Sequence, residues 1–214
     1  MIAKKTPPTV FVVDDDESVR SSLKFLLRSA SLESRAFGSA QEFLEAYDPS
    51  QAGCLVLDVR MPGMSGLELQ QALNLRGAII PVIFITGHGD VPMAVEAMQH
   101  GAHDFLQKPF KDEDLIERVR RALAQDAKAR TALEEHKSIR SRLHTLTARE
   151  REVLALMAKG KPNKVMAHEL GVSQRTIEIH RARVMEKSGA SSLAELVRMV
   201  MDVEPELAPT PQAG

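Results

Sequence analysis

Several things are scarce in this 214-residue chain, and each scarcity removes a class of function. One cysteine, Cys54, cannot close an internal disulfide. There is no tryptophan and a single tyrosine, so the aromatic platforms on which single-stranded nucleic acid stacks are missing. No apolar run approaches the ~18 residues that span a bilayer, and no signal-peptide pattern is visible. We therefore expect a cytoplasmic protein without a membrane partner. Excess charge of one sign is also absent: 28 Lys and Arg stand against 29 Asp and Glu, so any basic surface must be local.

What is present divides unevenly along the chain. Residues 1–122 carry a net charge of −4, residues 123–144 of +2 and residues 145–214 of +1, while residues 145–201 by themselves reach +4. An acidic front and a basic back suggest one domain that handles a cation and another that approaches a polyanion. We expect a domain over 1–122, a helical linker over 123–144, a second domain over 145–203 and a disordered tail over 204–214, where Pro205, Pro209 and Pro211 recur. From Asp112 to Gly160 neither proline nor glycine intervenes. A helix from about Asp112 to Arg142 would span roughly 45 Å and act as a rigid connector. A frayed helix end followed by a flexible linker is the competing expectation, because apolar positions after Leu123 are sparse.

In the front half, short apolar runs at Thr9–Val13, Cys54–Leu57, Pro81–Ile85 and Asp104–Leu106, with a weaker one at Arg35–Phe37, alternate with helical patterns. Asp16–Ser29 and Asp90–Gln99 show apolar residues at helical spacing. The expectation is an α/β fold, a doubly wound five-stranded parallel sheet covered on both faces, followed by a small all-α domain.

Ligands of an open α/β sheet gather at the carboxyl ends of its strands. The first strand ends in Asp14-Asp15-Asp16, the third in Asp58, the fourth in Thr86 and the fifth in Lys108. Carboxylates brought together repel one another unless a cation compensates. Mg²⁺ is suited to the task, with one or two carboxylates, waters and a phosphoryl oxygen as ligands. Asp58 beside such an ion can accept a phosphoryl group, and Met61-Pro62-Gly63-Met64-Ser65-Gly66 would keep it open to a bulky donor. Singly, a strand-end Asp caps a turn, Thr86 is a β-branched strand end and Phe105 a core aromatic; the conjunction is what points to chemistry. His88, His100 and His103 lack a third ligand at zinc spacing and read as surface histidines, and the ten methionines as gap-fillers of the core.

Val12-Val13-Asp14-Asp15, Leu57-Asp58-Val59-Arg60-Met61-Pro62-Gly63, Ile85-Thr86-Gly87 and Lys108-Pro109-Phe110 together resemble the receiver domain of two-component response regulators, over about residues 8–122. The resemblance implies a flavodoxin-like receiver in which Asp58 is the phosphoacceptor, charged by a sensor histidine kinase. Asp15 and Asp58 would ligate Mg²⁺ directly, Asp14 through water and Arg60 by its backbone carbonyl. Lys108 would pair with the phosphoryl group, Thr86 would move to hydrogen-bond it, and Phe105, where many relatives have Tyr, would repack in concert. Asp16 has no implied role.

In the basic half, Thr147 and Glu150 form a capping-box pattern, Gly160 ends that helix, and Pro162 opens a second that runs to about Leu170. Gly171-Val172-Ser173 then turns into a third helix from about Gln174 to Lys187, a helix-turn-helix pattern. Ile177, His180, Val184 and Ser188 share one face, expected inward. Arg175, Glu178, Ile179, Ala182, Arg183 and Glu186 lie opposite and include side chains able to read base edges: Arg for guanine, Glu178 for cytosine, Ile179 or Ala182 for a thymine methyl. Lys161, Asn163, Lys164 and Lys187 suit phosphate contacts.

Leu146-Thr147-Ala148-Arg149-Glu150-Arg151-Glu152-Val153-Leu154, Asn163-Lys164, Thr176-Ile177-Glu178-Ile179-His180 and a final helix at Leu193–Val200 resemble the LuxR-type DNA-binding domain. The whole chain resembles FixJ-type members of the NarL/FixJ response regulators, which adds Thr176 to the implied DNA contacts. Glu178 stands where the wider pattern has Lys, which shifts the expected base preference. The family implies a transcriptional activator that dimerises on phosphorylation, through the face containing Asp90–His100 and Phe105 and through the last helix, binds promoter duplex DNA and engages RNA polymerase. A Mg²⁺-dependent aspartyl-phosphate phosphohydrolase and a phosphorylation-independent DNA-binding adaptor are the alternatives on the residues; an RNA-binding output is disfavoured by the missing aromatics.

Overall fold

Short apolar runs rich in Val, Ile, Leu and Phe build the inner strands of the sheet. In the computed structural model, which describes residues 7–87 and 91–205, strands β1 (Thr9–Val13), β2 (Glu33–Phe37), β3 (Gly53–Asp58), β4 (Val82–Thr86) and β5 (Asp104–Gln107) pair in parallel in the order β2-β1-β3-β4-β5. Helices α1 (Glu17–Ser29), α2 (Ala40–Ala46), α3 (Gly66–Leu75), α4 (Val91–Gln99) and α5 (Asp112–His144) link and follow the strands. Successive strand residues point to opposite faces. Val10, Val12, Cys54, Val56, Ile83 and Ile85 therefore bury against Leu23 and Leu27 of α1 and Leu115 and Val119 of α5. Phe11, Val13, Leu55, Leu57 and Phe84 bury on the other side with Phe43 of α2 and Leu69 and Leu73 of α3.

The strands β2, β3, β4 and β5 each differ from the expected bounds by one or two residues, and at β2 and β4 the reason is physical. The weak run at Arg35–Phe37 is a strand from Glu33, and its signal was faint because β2 is an edge strand with Phe37 its one buried residue. The fourth strand begins at Val82 rather than Pro81: proline has no amide to offer, although its carbonyl still accepts from Leu55 N at 2.9 Å. At the start of β3, a Cβ on Gly53 would lie 2.0 Å from the Thr9 carbonyl oxygen, so a side chain is excluded there.

The chain forms two units, residues 1–131 and 132–214. Helix α5 is continuous through the segment read as a linker. Its residues up to Arg130 belong to the first unit, where Ala122 is buried and the Asp126 carboxylate accepts from Gly53 N at 2.9 Å. Ile139 and the fully buried Leu143 belong to the core of the second. That core is completed by α6 (Ala148–Ala158), α7 (Asn163–Leu170), α8 (Gln174–Ser188) and α9 (Leu193–Val203), through Leu154, Met166, Ile177, Val184 and Val200.

Glu204, placed with the tail on composition, is folded: it is 8% exposed and paired with Arg151 at 3.2 Å. The remainder of the expected tail, 206–214, and the residues His88 and Asp90 lie outside the described residues. No helix among the described residues is long and apolar enough to cross a membrane.

Candidate functional site

The carboxyl ends of β1, β3 and β5 bring Asp14, Asp58 and Lys108 together. Lys108 Nζ donates to Asp14 Oδ2 at 3.0 Å and to Asp58 Oδ1 at 3.1 Å, bridging residues far apart in sequence. Both carboxylates are largely buried, with side chains 5% and 12% exposed. Asp14 Oδ1 also accepts from Asp16 N at 2.9 Å, and Asp58 Oδ2 from Arg60 N at 2.7 Å. Burial pushes the Asp58 carboxyl above its ordinary value, against the pull of Lys108. Burial acts on Lys108 in the other direction, but Asp14 and Asp58 together hold its ammonium above the usual value.

The loop after β3 turns tightly from Asp58 into α3. Gly66 N donates to Val59 O at 3.0 Å, and a Cβ on Gly66 would meet the Asp58 carbonyl oxygen at 2.2 Å. Ser65 caps α3 in a reciprocal box with Glu68. Thr86 is buried at the end of β4, and its carbonyl accepts from Lys108 N at 2.7 Å, which anchors the chain carrying the ammonium. Phe105 lies opposite Phe84 in the sheet register and is half-buried against the core.

Asp15 is exposed, and its carboxylate, unlike its backbone carbonyl, accepts no hydrogen bond among the described residues, which leaves it available to a cation. Among those residues no three His, Cys, Asp or Glu side chains converge into a metal cage. The donor set nevertheless fits Mg²⁺, which takes oxygen ligands, needs one or two carboxylates and keeps water in its remaining positions.

Two residues of this site were missed by sequence reasoning. Asp16, left without a role, is the N-cap of α1: it accepts from Ser18 N at 2.8 Å and Ser18 Oγ at 2.6 Å, and these bonds lower its pKa. An Asp immediately before a helical pattern was the available signal. Arg20 reaches back from α1, its Nη1 donating to the carbonyls of Asp14 at 2.8 Å and Asp15 at 2.9 Å.

The second unit presents a different surface. Thr147 and Glu150 form the expected capping box at α6. Gly171, in the left-handed region at φ 65°, ends α7, and Ser173 caps α8 by accepting from Thr176 N at 3.0 Å. These signals orient α8 with Ile177, Val184 and Ser188 inward. His180 is partly buried, while Arg175, Glu178, Ile179, Ala182, Arg183 and Glu186 are exposed together. Arg175 and Glu178 stand 3.5 Å apart, and Ile179 is 43% exposed. Lys161 and Lys164 are also exposed, whereas Asn163 and Thr176 are half-buried, the Thr176 hydroxyl lying 2.9 Å from Ser173 Oγ.

Lys187 requires a correction. Its ammonium does not join the exposed set but turns onto the buried Glu150 carboxylate at 2.6 Å and toward Thr145 O at 3.3 Å. A phosphate would have to compete with a carboxylate that is already desolvated, which removes Lys187 from the contacts we expect.

Residues 10–120 match the response regulator receiver domain family, and residues 144–200 the luxR family of bacterial regulatory proteins. The chain is 50% identical to the transcriptional regulatory protein FixJ of Azorhizobium caulinodans, over 90% of its own length and 91% of that protein. It is likewise 50% identical to nodulation protein W of Bradyrhizobium diazoefficiens, over 91% and 86%. Among solved structures, the response regulator StyR superposes with a TM-score of 0.82 at 48% identity, covering 91% of this chain and 98% of that one. Full-length FixJ from B. japonicum superposes at 0.58 and 44% identity, covering 92% and 97%.

Proposed function

The chain belongs to the two-component response regulators that join a receiver domain to a LuxR-type DNA-binding domain and regulate transcription, and from this premise we propose that Asp58 is the phosphoacceptor through which a sensor histidine kinase switches DNA binding. The observation that supports the assignment most directly is the Lys108 ammonium bridging Asp14 and Asp58 at the strand ends. An Asp58 carboxylate oxygen attacks the phosphorus of the kinase phosphohistidine. The new O–P bond forms as the P–N bond breaks, and the departing electron pair stays on the imidazole nitrogen, which takes up a proton. Lys108 sits where charge builds on the phosphoryl oxygens and neutralises part of it. Asp15, Asp58 and the Arg60 carbonyl would hold Mg²⁺, with Asp14 acting through water; when bound, the ion supplies further neutralisation of phosphoryl charge.

The phosphoryl group adds charge and acceptor oxygens beside Thr86. Thr86 turns its hydroxyl to the new acceptor, Phe105 repacks, and the receiver favours a homodimer. Val95 and Met98 of α4, 53% and 49% exposed, support the α4 side as that face. In the second unit the exposed side of α8 enters the major groove, with Arg175, Glu178, Ile179, Ala182 and Arg183 at base edges. Asn163, Lys164 and Thr176 make contacts that set register. The dimer activates transcription at a promoter by engaging RNA polymerase. Asp58 phosphate is lost slowly to water, so the protein is a switch and not a phosphohydrolase with turnover. We infer a cytoplasmic location, where promoter DNA and the phosphodonor domain of a sensor kinase are both within reach.

The test is intact mass after incubation with Mg²⁺ and a small acyl-phosphate donor, with Asp58→Asn alongside. One phosphoryl group on wild type and none on the variant is expected, together with phosphodonor-dependent DNA binding that the variant lacks. Donor-dependent DNA binding that survives in Asp58→Asn overturns the assignment.

A further inference from the structure

We propose that Arg20 is a positioning residue for the metal ligands, setting the Asp14-Asp15 backbone so that the carboxylates of Asp14 and Asp15 are presented to Mg²⁺. The inference rests on the reading of Asp15 and Asp58 as ligands given above. Its basis is an arginine where helix energetics disfavour one. Arg20 lies in the first turns of α1, its amide bonded to Asp16 O at 3.0 Å. The positive end of the helix dipole there favours carboxylates over cations. Helical side chains lean toward the N-terminus, so position 20 covers the turn that holds residues 14–16.

The compensation is specific. One Nη atom donates to two consecutive carbonyls, Asp14 O at 2.8 Å and Asp15 O at 2.9 Å, which fixes the two peptide planes on either side of the Asp15 Cα. The same guanidinium lies beside the β2–α2 turn, 3.7 Å from where a Cβ on Gly38 would stand. The plane so fixed also delivers Asp16 N to Asp14 Oδ1 at 2.9 Å. A network of this kind costs little further ordering when the cation arrives.

Two effects of removing Arg20 have opposite signs. Taking a positive charge away from an acidic pocket strengthens its attraction for a cation, whereas releasing the peptide planes weakens binding through lost preorganisation, as loss of outer supports does at metal sites. Of the two, lost preorganisation is the larger effect. Isothermal titration with Mg²⁺ alone, no phosphodonor present, on the full chain as wild type, Arg20→Gln and Arg20→Lys reads the sign directly. We expect Arg20→Gln to bind Mg²⁺ roughly 10-fold more weakly, and Arg20→Lys, which keeps the charge and a donor, to fall between it and wild type. In the metal-free protein the Asp16 amide is expected to exchange hydrogen faster in Arg20→Gln while the amides of β3 and β4 keep their wild-type rates. Arg20→Gln binding Mg²⁺ as tightly as wild type, or more tightly, overturns the positioning role and leaves the metal assignment standing. Wild type that binds no Mg²⁺, or binds it unchanged after Asp58→Asn, overturns the metal assignment and this inference with it.

Discussion

Glu150 Oε2 accepts the Lys187 ammonium at 2.6 Å and the Thr147 amide at 2.8 Å, so one carboxylate oxygen ties the end of α8 to the start of α6. The carboxylate is 2% exposed, and Lys187 first, then the Thr147 amide, hold its pKa at about 2. Because the folded value lies below the ordinary 4.5, the pair stabilises the second unit fully above pH 4.5 and loses that contribution as pH falls toward about 2. Glu150→Gln removes the charge, and at neutral pH we expect a loss of about 1–3 kcal/mol. Native-state hydrogen exchange of α6 and α8 amides checks this. The gap between wild type and variant is expected to narrow across that window, and a gap independent of pH would sink the explanation.

Asp126 is expected to be the costliest polar residue of the first unit to truncate. Its carboxylate accepts from Gly53 N at 2.9 Å and from Arg130 Nε at 3.0 and 2.8 Å, while Arg130 also donates to Pro49 O at 2.8 Å and Gln51 O at 2.7 Å. Asp126→Ala strands a partly buried guanidinium, for an expected loss of about 3–5 kcal/mol in denaturant unfolding followed at the receiver. A loss under 1 kcal/mol, the size of an exposed pair, would show that the clamp contributes little.

Gly66→Ala is expected to damage the first unit and its chemistry together. The new Cβ would sit 2.2 Å from the Asp58 carbonyl oxygen, a backbone atom that cannot move without shifting the carboxylate. We expect destabilisation of about 1–3 kcal/mol or more and slower phosphorylation from an acyl-phosphate donor, read by intact mass against time. Wild-type stability and rate would show that the loop relaxes freely.

The exposed face of α8 and the start of α7 separate by their salt dependence. Lys164→Ala is expected to weaken binding evenly across DNA sequences and to reduce the slope of log affinity against log salt by about 1. Arg175→Ala or Arg183→Ala is expected to cost about 1–3 kcal/mol on the preferred site and to relax preference at one base position. Lys187→Ala should lower the stability of the second unit, through Glu150, and leave that salt slope unchanged. Titrations on the preferred duplex and on its single-base variants, each at several salt concentrations, separate the three behaviours.

Much of the architecture was legible because it is written in local pattern. Val10 to Val13 and Cys54 to Leu57 are continuous apolar runs because both faces of a parallel sheet are covered. Thr147 with Glu150, Gly171 and Ser173 placed three helix boundaries through capping chemistry that depends on neighbours within four residues. The edge strand β2 was faint because an edge need not be apolar, and Asp126 was invisible because its partner Gly53 lies 73 residues away.

What the sequence by itself determined is therefore which residues face inward along each element and which chemical groups stand at the strand ends, since period and capping are short-range properties of the chain. Which polar groups find one another was decided by tertiary structure. Lys108 meets Asp14 and Asp58 across 94 and 50 residues, Lys187 turns from the exposed face of α8 onto Glu150, and Glu204 is drawn out of a proline-rich end onto Arg151. The physical reason is common to all three. A charged side chain on a flexible stem has no periodicity of its own, and its position follows from which desolvated partner the folded backbone brings within about 3 Å.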